Sequence, residues 1–256
     1  MTEETVETLY LLSEQDRIAG ISGFTVRPPE ARKEKPKVSA FTSAKIPKIL
    51  DLKPDLVLGF SDLQADIAAE LIKHGIEVYV FNQRTVAGIL RMIRTLGRLV
   101  DASEKADSLA QGYEEKIAYL KDKTSDWQDK PTVYFEEWFD PIISGIGWVS
   151  ELIEIAGGVD CYTENAQHQD AKSRIIADPL EVVARNPDII IGSWCGKQFH
   201  PHKVGERDGW QDVSAVQTQS IFEIKSANIL QPGPAALSDG LDQLHDIISQ
   251  WHFQTI

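Results

Sequence analysis

The chain has 256 residues, of which 42% are hydrophobic and 25% charged, so it can form one large domain or two small ones with a buried core. Its formal net charge of -13 argues against binding to nucleic acid or to an anionic membrane surface, since either partner needs a basic face. No run of Lys or Arg supplies such a face, and no apolar run approaches the ~18 residues of a membrane span.

The N-terminal stretch "MTEETVETLYLL" lacks the basic-then-apolar pattern of a signal peptide. We therefore expect either a cytosolic protein or a mature form from which a leader has been removed. The two cysteines, Cys161 and Cys195, stand in no CxxC arrangement, so neither a zinc knuckle nor a redox pair is indicated. We expect two buried free thiols, with one disulfide as the alternative.

The first hundred residues alternate between helical and strand patterns. The stretch "AKIPKILDLKPDLVLGF" predicts a helix, a Lys-Pro-Asp turn and an apolar strand covered on both faces. This alternation predicts an α/β lobe with a parallel sheet. The predicted elements are a helix at 2–13 capped by Thr2, strands at 17–22 and 37–41 around a surface loop, the helix-turn-strand unit at 44–60, a helix at 63–75 and a strand at 76–82.

Residues 85–123 predict two consecutive helices, the second with an apolar face from Ala106 to Leu120 and with Asp101 or Ser103 as its N-cap. The second half then repeats the first, because "ARNPDIIIGSW" resembles "LKPDLVLGF". We interpret the second helix as a spine between two lobes. The predicted organisation is an N-terminal α/β lobe at 1–100, a linking helix at 101–123 and a C-terminal α/β lobe at 124–256, with strands at 129–138 and 220–230 and helices at 148–158 and 237–251.

Aromatic residues recur where the predicted strands end. In open parallel sheets the ligand crevice lies outside the carboxyl ends of the strands. Two such rims facing each other would form a broad cleft for a large planar ligand. The alternative is that each ring covers only the core of its own lobe, as we expect for Phe81 and Trp148. The residues at the predicted rims are Phe24, Phe41, Phe60, Phe81, Glu136, Glu137, Trp138, Trp194, Cys195 and the turn around Gln231.

Two polar groups admit a catalytic or metal-binding interpretation. Glu136 and Glu137 could act as a general acid-base pair, but no nucleophile accompanies them, so a solvated or hydrogen-bonding role is favoured. Cys195, His200 and His202 in "WCGKQFHPHKV" have spacing that a metal site could use. The proline between the histidines and the polar surroundings favour an exposed segment without metal.

Several stretches together resemble the cobalamin-type substrate-binding proteins of ABC importers, a family whose fold is shared by siderophore and haem binders. They are "RIAGIS", "PPEARKEKPKVSAF", "ILDLKPDLVLGF" and "ELIKHGIEVYVFN" in the first half, and "EEWFDPIISGIGWVSELIEIAGG", "VVARNPDIIIGSWCGK" and "EIKSANILQPGPAALSDGL" in the second. The resemblance implies two α/β lobes with mainly parallel sheets, joined by one rigid helix, with cobalamin or a related corrinoid clamped between them. It implies no enzymatic activity, no catalytic residue, no cofactor and no resident metal.

The resemblance also implies roles for individual residues. Phe41 and Phe60 match positions that contact the corrin ring, and the rim positions add Phe24, Glu136, Trp138, Trp194 and Gln231 as expected ligand contacts. Docking on the importer's membrane subunits is expected through an acidic residue of each lobe. The candidates are Asp62 or Asp66 in the first lobe and Glu151 in the second.

The chain departs from the family pattern at its start. Relatives usually begin with a strand before the first helix, and that strand is missing here, so either the reading starts late or the first sheet lacks a strand. The resemblance implies an extracytoplasmic monomer, whereas the missing leader leaves a cytosolic location open. Three hypotheses follow: a corrinoid-binding protein, a ferric-siderophore or haem-binding protein of the same fold, and a cytosolic corrinoid-handling protein or enzyme.

Overall fold

The central helix belongs to both halves of the folded chain. The computed structural model describes residues 1–255. One unit comprises Met1–Gln83 and Ala87–Gly112, and the other comprises Arg84–Val86 and the chain from Tyr113 onward. The division after Gly112 therefore falls inside a helix of 21 residues, about 31 Å long at 1.5 Å per residue. The sequence-based boundaries instead assign the whole helix to a separate segment.

The elements of the first unit alternate as predicted. A 3-10 turn at Gln15–Arg17 replaces the beginning of the strand predicted at 17–22, and the linking helix begins at Ser103, one of its two predicted caps. The elements up to the end of the linking helix, which both units share, are α1 (Glu3–Leu11), β1 (Ile21–Ser22), α2 (Ala31–Glu34), β2 (Lys37–Ser39), α3 (Ile46–Asp51), β3 (Leu56–Phe60), α4 (Ala65–Lys73), β4 (Glu77–Phe81), α5 (Val86–Leu99) and α6 (Ser103–Lys123).

The second unit continues the alternation. Its elements are β5 (Thr132–Phe139), β6 (Ile142–Ser144), α7 (Gly147–Ile155), β7 (Val159–Asp160), α8 (Thr163–Ala166), α9 (Leu180–Arg185), β8 (Ile189–Gly192), α10 (Pro201–Gly205), α11 (Ser214–Gln217), β9 (Ile221–Glu223), α12 (Ser226–Ile229) and α13 (Leu241–Thr255). Among the described residues, no helix combines the length and the apolar character needed to cross a bilayer.

The two similar sequence stretches fold into the same local structure. After α3, Lys53 takes a left-handed conformation with φ 48°, and after α9, Asn186 does so with φ 45°. A left-handed residue ends a helix, and the proline that follows it in both stretches prevents the helix from continuing. The chain then enters β3 and β8, respectively. The repeat seen in the sequence is therefore a repeated helix-turn-strand unit.

The sheets are mainly parallel, which confirms the predicted α/β class. In the first unit β1 pairs with β2 and β3 with β4, both in parallel, as two two-stranded sheets. In the second unit the order is β6-β5-β8-β9, with β7 also paired to β5, and β6 alone runs antiparallel. Every residue of β8 is buried, as expected for a strand covered on both faces.

Candidate functional site

The carboxyl ends of β5 and β8 carry the aromatic residues of the second unit. In the parallel pairing of these strands Glu136 lies opposite Gly192. Trp138 lies two residues after Glu136, and Trp194 lies two residues after Gly192, so both indoles reach the same edge of the sheet. Parallel pairing thus brings together two rings that are far apart in the sequence.

Four rings form a continuous row at this edge, which we call the aromatic row: Trp138, Phe139, Trp194 and Phe199. Ring centroids are 5.0 Å apart between Trp138 and Phe139, 4.5 Å between Phe139 and Trp194, and 4.9 Å between Trp194 and Phe199. These separations fall within the range of favourable aromatic contacts. Trp138 and Phe139 are half-buried, whereas Trp194 and Phe199 are buried and support them.

Gly192 makes room for the last ring of the row. A Cβ atom at this position would lie 1.9 Å from Cε2 of Phe199, far inside van der Waals contact. The absence of a side chain on β8 therefore lets Phe199 pack directly against the strand backbone, and Phe199 in turn supports Trp194.

Glu136 lies beneath the row as a fully buried carboxylate with four donors. Arg207 binds it with both guanidinium nitrogens, at 2.6 Å to Oε2 and 2.8 Å to Oε1. The indole Nε1–H of Trp194 donates to Oε1 at 3.0 Å, and the hydroxyl of Tyr134 donates to Oε2 at 3.0 Å. A bidentate arginine and two further donors satisfy the carboxylate, so its charge is compensated in the interior.

The electrostatics of this cluster fix its protonation states. Burial alone would lower the pKa of Arg207, but hydrogen bonding to Glu136 and its negative charge outweigh burial and raise it. Burial, together with the charge of Glu136, raises the pKa of the Tyr134 hydroxyl well above its usual value. Arg207 therefore stays a cation and Tyr134 a neutral donor, and the orientation of Trp194 is held by a polar network.

A pocket of about 440 Å³ opens beside Trp194 within the second unit. Three of its lining side chains are lysine or arginine, and none is acidic. The residues that line it are Phe139, Trp194, Lys197, Gln198, His200, Lys203 and Arg207.

In the first unit, a buried glutamine connects two of the predicted rim residues. Oε1 of Gln64 accepts the backbone N–H of Phe60 at 3.0 Å, and Nε2 of Gln64 donates to the carbonyl of Phe41 at 2.8 Å. Phe60 is itself only 5% exposed, whereas Phe41 is half-buried. Gln64 therefore fixes the distance between the ends of β2 and β3.

Phe24 is the most exposed of the predicted ligand contacts, with 59% of its surface accessible. Its loop is held in place by Arg32, whose Nη1 donates to the carbonyls of Gly23 and Thr25 at 2.8 Å each. An exposed phenyl ring on an anchored loop is an available apolar contact for a ligand.

The structure separates the predicted ligand contacts into two groups. Phe24, Phe41, Trp138 and Gln231 expose part of their surface, which is compatible with direct contact. The remaining three expose little: 5% of Phe60, 7% of Trp194 and none of Glu136. In this structure Glu136 and Phe60 contact neighbouring protein groups, and ligand contact by any of the seven residues stays a prediction.

The candidate docking residues differ in their surroundings. Asp62 and Asp66 are both exposed; Asp62 lies on the 3-10 turn that precedes α4, and Asp66 lies in the first turn of α4. Glu151, on α7 of the second unit, is half-buried, and its Oε2 accepts the backbone N–H of Val86 at 2.9 Å. Burial raises the pKa of Glu151 despite that hydrogen bond.

The groups considered for chemistry are engaged elsewhere or dispersed. Glu137 pairs with the buried Arg174 at 2.6 Å, so the carboxylates of Glu136 and Glu137 both have cationic partners. Within residues 1–255, no group of three His, Cys, Asp or Glu side chains is arranged to hold a metal ion. Cys161 and Cys195 are not joined by a disulfide; Cys161 is half-buried and Cys195 is exposed, so the expectation that both thiols are buried is wrong.

Gln64, Arg207 and Lys203 are residues that sequence reasoning missed. Lys203 lies within α10, and Arg207 lies two residues beyond the end of that helix, so the two are not part of one basic run. The sequence signal for these two cations is that they follow the strand-end stretch "SWCGK", which itself closes with Lys197.

Comparison with known proteins agrees with the α/β fold. A family model described as "Periplasmic binding protein" matches residues 1–227. The chain belongs to this family. Periplasmic binding proteins of this type are the substrate-binding proteins of ABC importers rather than enzymes.

Relatives of this periplasmic binding protein differ in the ligands that their names give. An uncharacterized ABC transporter substrate-binding lipoprotein of Bacillus subtilis is 25% identical over 94% of this chain and 76% of the relative. A vitamin B12-binding protein of Vibrio campbellii is 23% identical over 100% and 88%. The solved periplasmic heme-binding protein RhuT of Roseiflexus superposes with a TM-score of 0.79 at 20% identity, over 96% of this chain and 97% of that one.

Proposed function

We propose that this periplasmic binding protein captures cobalamin or a related corrinoid outside the cytoplasmic membrane and delivers it to an ABC importer. The observation that carries the proposal is the half-buried ring of Trp138, backed by the other three rings of the aromatic row. A corrin macrocycle is large and planar and needs an extended apolar surface of this kind.

The rigidity of the row supports binding by a largely preformed surface. Trp194 is fixed by packing on Phe139 and Phe199 and by its hydrogen bond to Glu136. Since little side-chain entropy remains to be lost there, binding a ring ligand costs less than on a mobile surface. The relatives named for vitamin B12 binding favour the same ligand class.

Haem or a ferric chelate is the second candidate ligand. The specific observation in its favour is the pocket beside Trp194, which contains Lys197, Lys203 and Arg207. Cationic side chains are the usual partners of carboxylates on such ligands.

A ligand screen tests the proposal. Vitamin B12, haem and a ferric siderophore are each added at about 100 µM, and thermal unfolding and Trp fluorescence are recorded. A ligand with a Kd of ~10 µM would add about 1.4 kcal/mol of stability at that concentration, a shift of roughly 3–6 °C for a chain of this size. N-acetyltryptophanamide corrects the quenching for light absorbed by the ligand.

The outcomes discriminate the candidates. Stabilisation by vitamin B12 with saturable quenching supports the proposal, and a response to haem or the ferric chelate alone supports the second candidate. No response to any of the three contradicts both. Cys195→Ser tests the remaining hypothesis, because unchanged ligand binding in this variant excludes a role for the only exposed thiol among the described residues.

We place docking on the importer at the exposed Asp62 and Asp66 of the first unit and at Glu151 of the second. Glu151 is the weaker candidate, since one of its oxygens already accepts the N–H of Val86. Asp66→Lys should weaken association with the importer's membrane subunits while ligand affinity stays unchanged.

A further inference from the structure

We propose that the pocket beside Trp194 is a subsite for an anionic group, a carboxylate or a phosphate, carried by the ligand. The inference rests on the proposed function for the identity of that ligand, but its chemistry is independent of which macrocycle is bound. On this proposal, Lys197 and Lys203 determine how strongly the protein prefers ligands that carry an anionic group.

The charges of the pocket are not balanced within the protein. Arg207 is neutralised by its bidentate pair with Glu136. Within residues 1–255, no carboxylate lies within ion-pair distance of Lys197 or Lys203. Two net positive charges therefore line one concave surface of a chain whose overall charge is -13.

Lys197 is positioned by the aromatic row. Its Nζ lies 4.6 Å from the ring centroid of Phe139 and 5.2 Å from that of Trp138, both within cation-π range. A cation-π contact stabilises the ammonium charge and leaves the N–H donors of Lys197 out of ordinary hydrogen bonds. The ammonium group is therefore held beside the exposed ring surface with donors available to an anion.

The other lining groups are compatible with an anion. Gln198 offers an amide N–H, Lys203 a second ammonium, and His200 a ring nitrogen that can donate. Lysine binds carboxylate and phosphate as a point charge, so the pocket does not require one fixed geometry. Its volume of about 440 Å³ admits a substituent with bridging water.

The experiment compares ligands that differ in charge. Vitamin B12 carries a phosphodiester, haem carries two carboxylates, and cobinamide is a corrinoid without the phosphodiester. Inorganic phosphate and succinate probe the pocket directly. The variants are Lys197→Gln, Lys203→Gln and the double variant. Lys130→Gln is the matched control, because Lys130 is an exposed lysine before the amino end of β5, far along the strand from the pocket.

We expect the double variant to bind vitamin B12 or haem about 10-fold more weakly than the wild type, as two charged contacts on an exposed surface allow. Cobinamide affinity should change less than about 2-fold, and the control should match the wild type for every ligand. Raising the salt concentration should weaken the wild type more than the double variant, because exposed charges are screened.

The pocket and the proposed function fail in different ways. If macrocycles bind and the double variant loses no preference for the anion-bearing ones, the subsite is refuted and the proposed function stands. If no macrocycle binds, the proposed function is refuted, and the titrations with phosphate and succinate alone then decide whether the subsite exists. Stabilisation of the wild type but not of the double variant by either anion supports the subsite, and equal behaviour overturns it.

Discussion

The indole N–H of Trp194 donates to the buried carboxylate of Glu136 across 3.0 Å. Trp194 follows β8, whereas Glu136 lies within β5, so this hydrogen bond connects two parallel strands at their carboxyl ends. The same carboxylate receives both guanidinium nitrogens of Arg207. One ionised side chain therefore orients an aromatic ring of the candidate site and the arginine that lines the neighbouring pocket.

Removing the carboxylate should destabilise the second unit strongly. Glu136→Ala leaves the half-buried Arg207 without its counterion and the donors of Tyr134 and Trp194 without their acceptor, and we expect a combined loss of about 3–5 kcal/mol in the free energy of unfolding. Urea denaturation measures this loss. Glu206→Ala removes an exposed carboxylate nearby in the sequence and should cost less than about 0.5 kcal/mol. Equal stability of the two variants would refute the ion pair as a structural element.

Glycine at position 192 is required by the approach of Phe199. Gly192→Ala should displace that ring and lower the free energy of unfolding by about 1–3 kcal/mol, as overpacking does. Gly112→Ala is the control, because a Cβ there meets nothing within 4 Å. In helix α6 it should be neutral or stabilise by up to about 1 kcal/mol. Thermal unfolding of both variants checks the prediction, which a wild-type melting temperature for Gly192→Ala would contradict.

Gln64 should matter for stability although it was not predicted as a site residue. Gln64→Ala leaves the N–H of Phe60 and the carbonyl of Phe41 without their side-chain partner, and we expect a loss of about 1–3 kcal/mol. Gln128→Ala, which removes an exposed glutamine, should change stability by less than about 0.5 kcal/mol. Denaturant titrations that do not separate the two variants would show that Gln64 does not hold the ends of β2 and β3 together.

Local patterns were sufficient to predict the secondary structure of the repeated unit. Helical periodicity, a Pro-Asp pair and a run of apolar residues are properties of neighbouring residues, and "LKPDLVLGF" and "ARNPDIIIGSW" fold as those patterns indicate. The pairing of the strands was harder to predict from the sequence. The first unit has two separate two-stranded sheets, and pairing depends on contacts that a short window does not contain.

The candidate site was predictable only where it follows strand ends. Trp138 and Trp194 were found because parallel strands place their carboxyl ends at one edge. The partner of Glu136 was not found, since Arg207 reaches it from a distant turn. The pocket was missed for the same reason: Lys197 and Lys203 lie on either side of a turn into α10, and only the folded chain brings their charges together.

Stability should fall with rising pH because of Glu4. Burial, then the charge of Glu3, raises the pKa of Glu4 from 4.5 to about 7, and Oε1 of Glu4 has no hydrogen-bond partner among the described residues. Below pH 4.5 both the folded and the unfolded states are protonated. Between pH 4.5 and 7 the unfolded chain loses the proton first, so the free energy of unfolding should fall by up to about 3 kcal/mol.

Glu4→Gln should remove this contribution, and urea denaturation between pH 4 and 8 measures it. Glu104→Gln is the control, since Glu104 occupies the first turn of α6 as Glu4 does in α1 but is exposed. It should retain the wild-type pH dependence. A Glu4→Gln variant that loses stability with pH as steeply as the wild type would assign the effect to another group.

The central claim is that the ring surface at the end of β5 binds the ligand, and calorimetric titration of vitamin B12 into two tryptophan variants tests it most directly. Trp138→Ala removes the exposed end of the aromatic row, whereas Trp127→Ala removes another half-buried indole of the same unit, before the amino end of β5, that stacks on His252. We predict at least about 10-fold weaker binding for Trp138→Ala, as the loss of a large aromatic contact implies, and wild-type affinity for Trp127→Ala. Equal affinity of both variants for vitamin B12 would contradict the account.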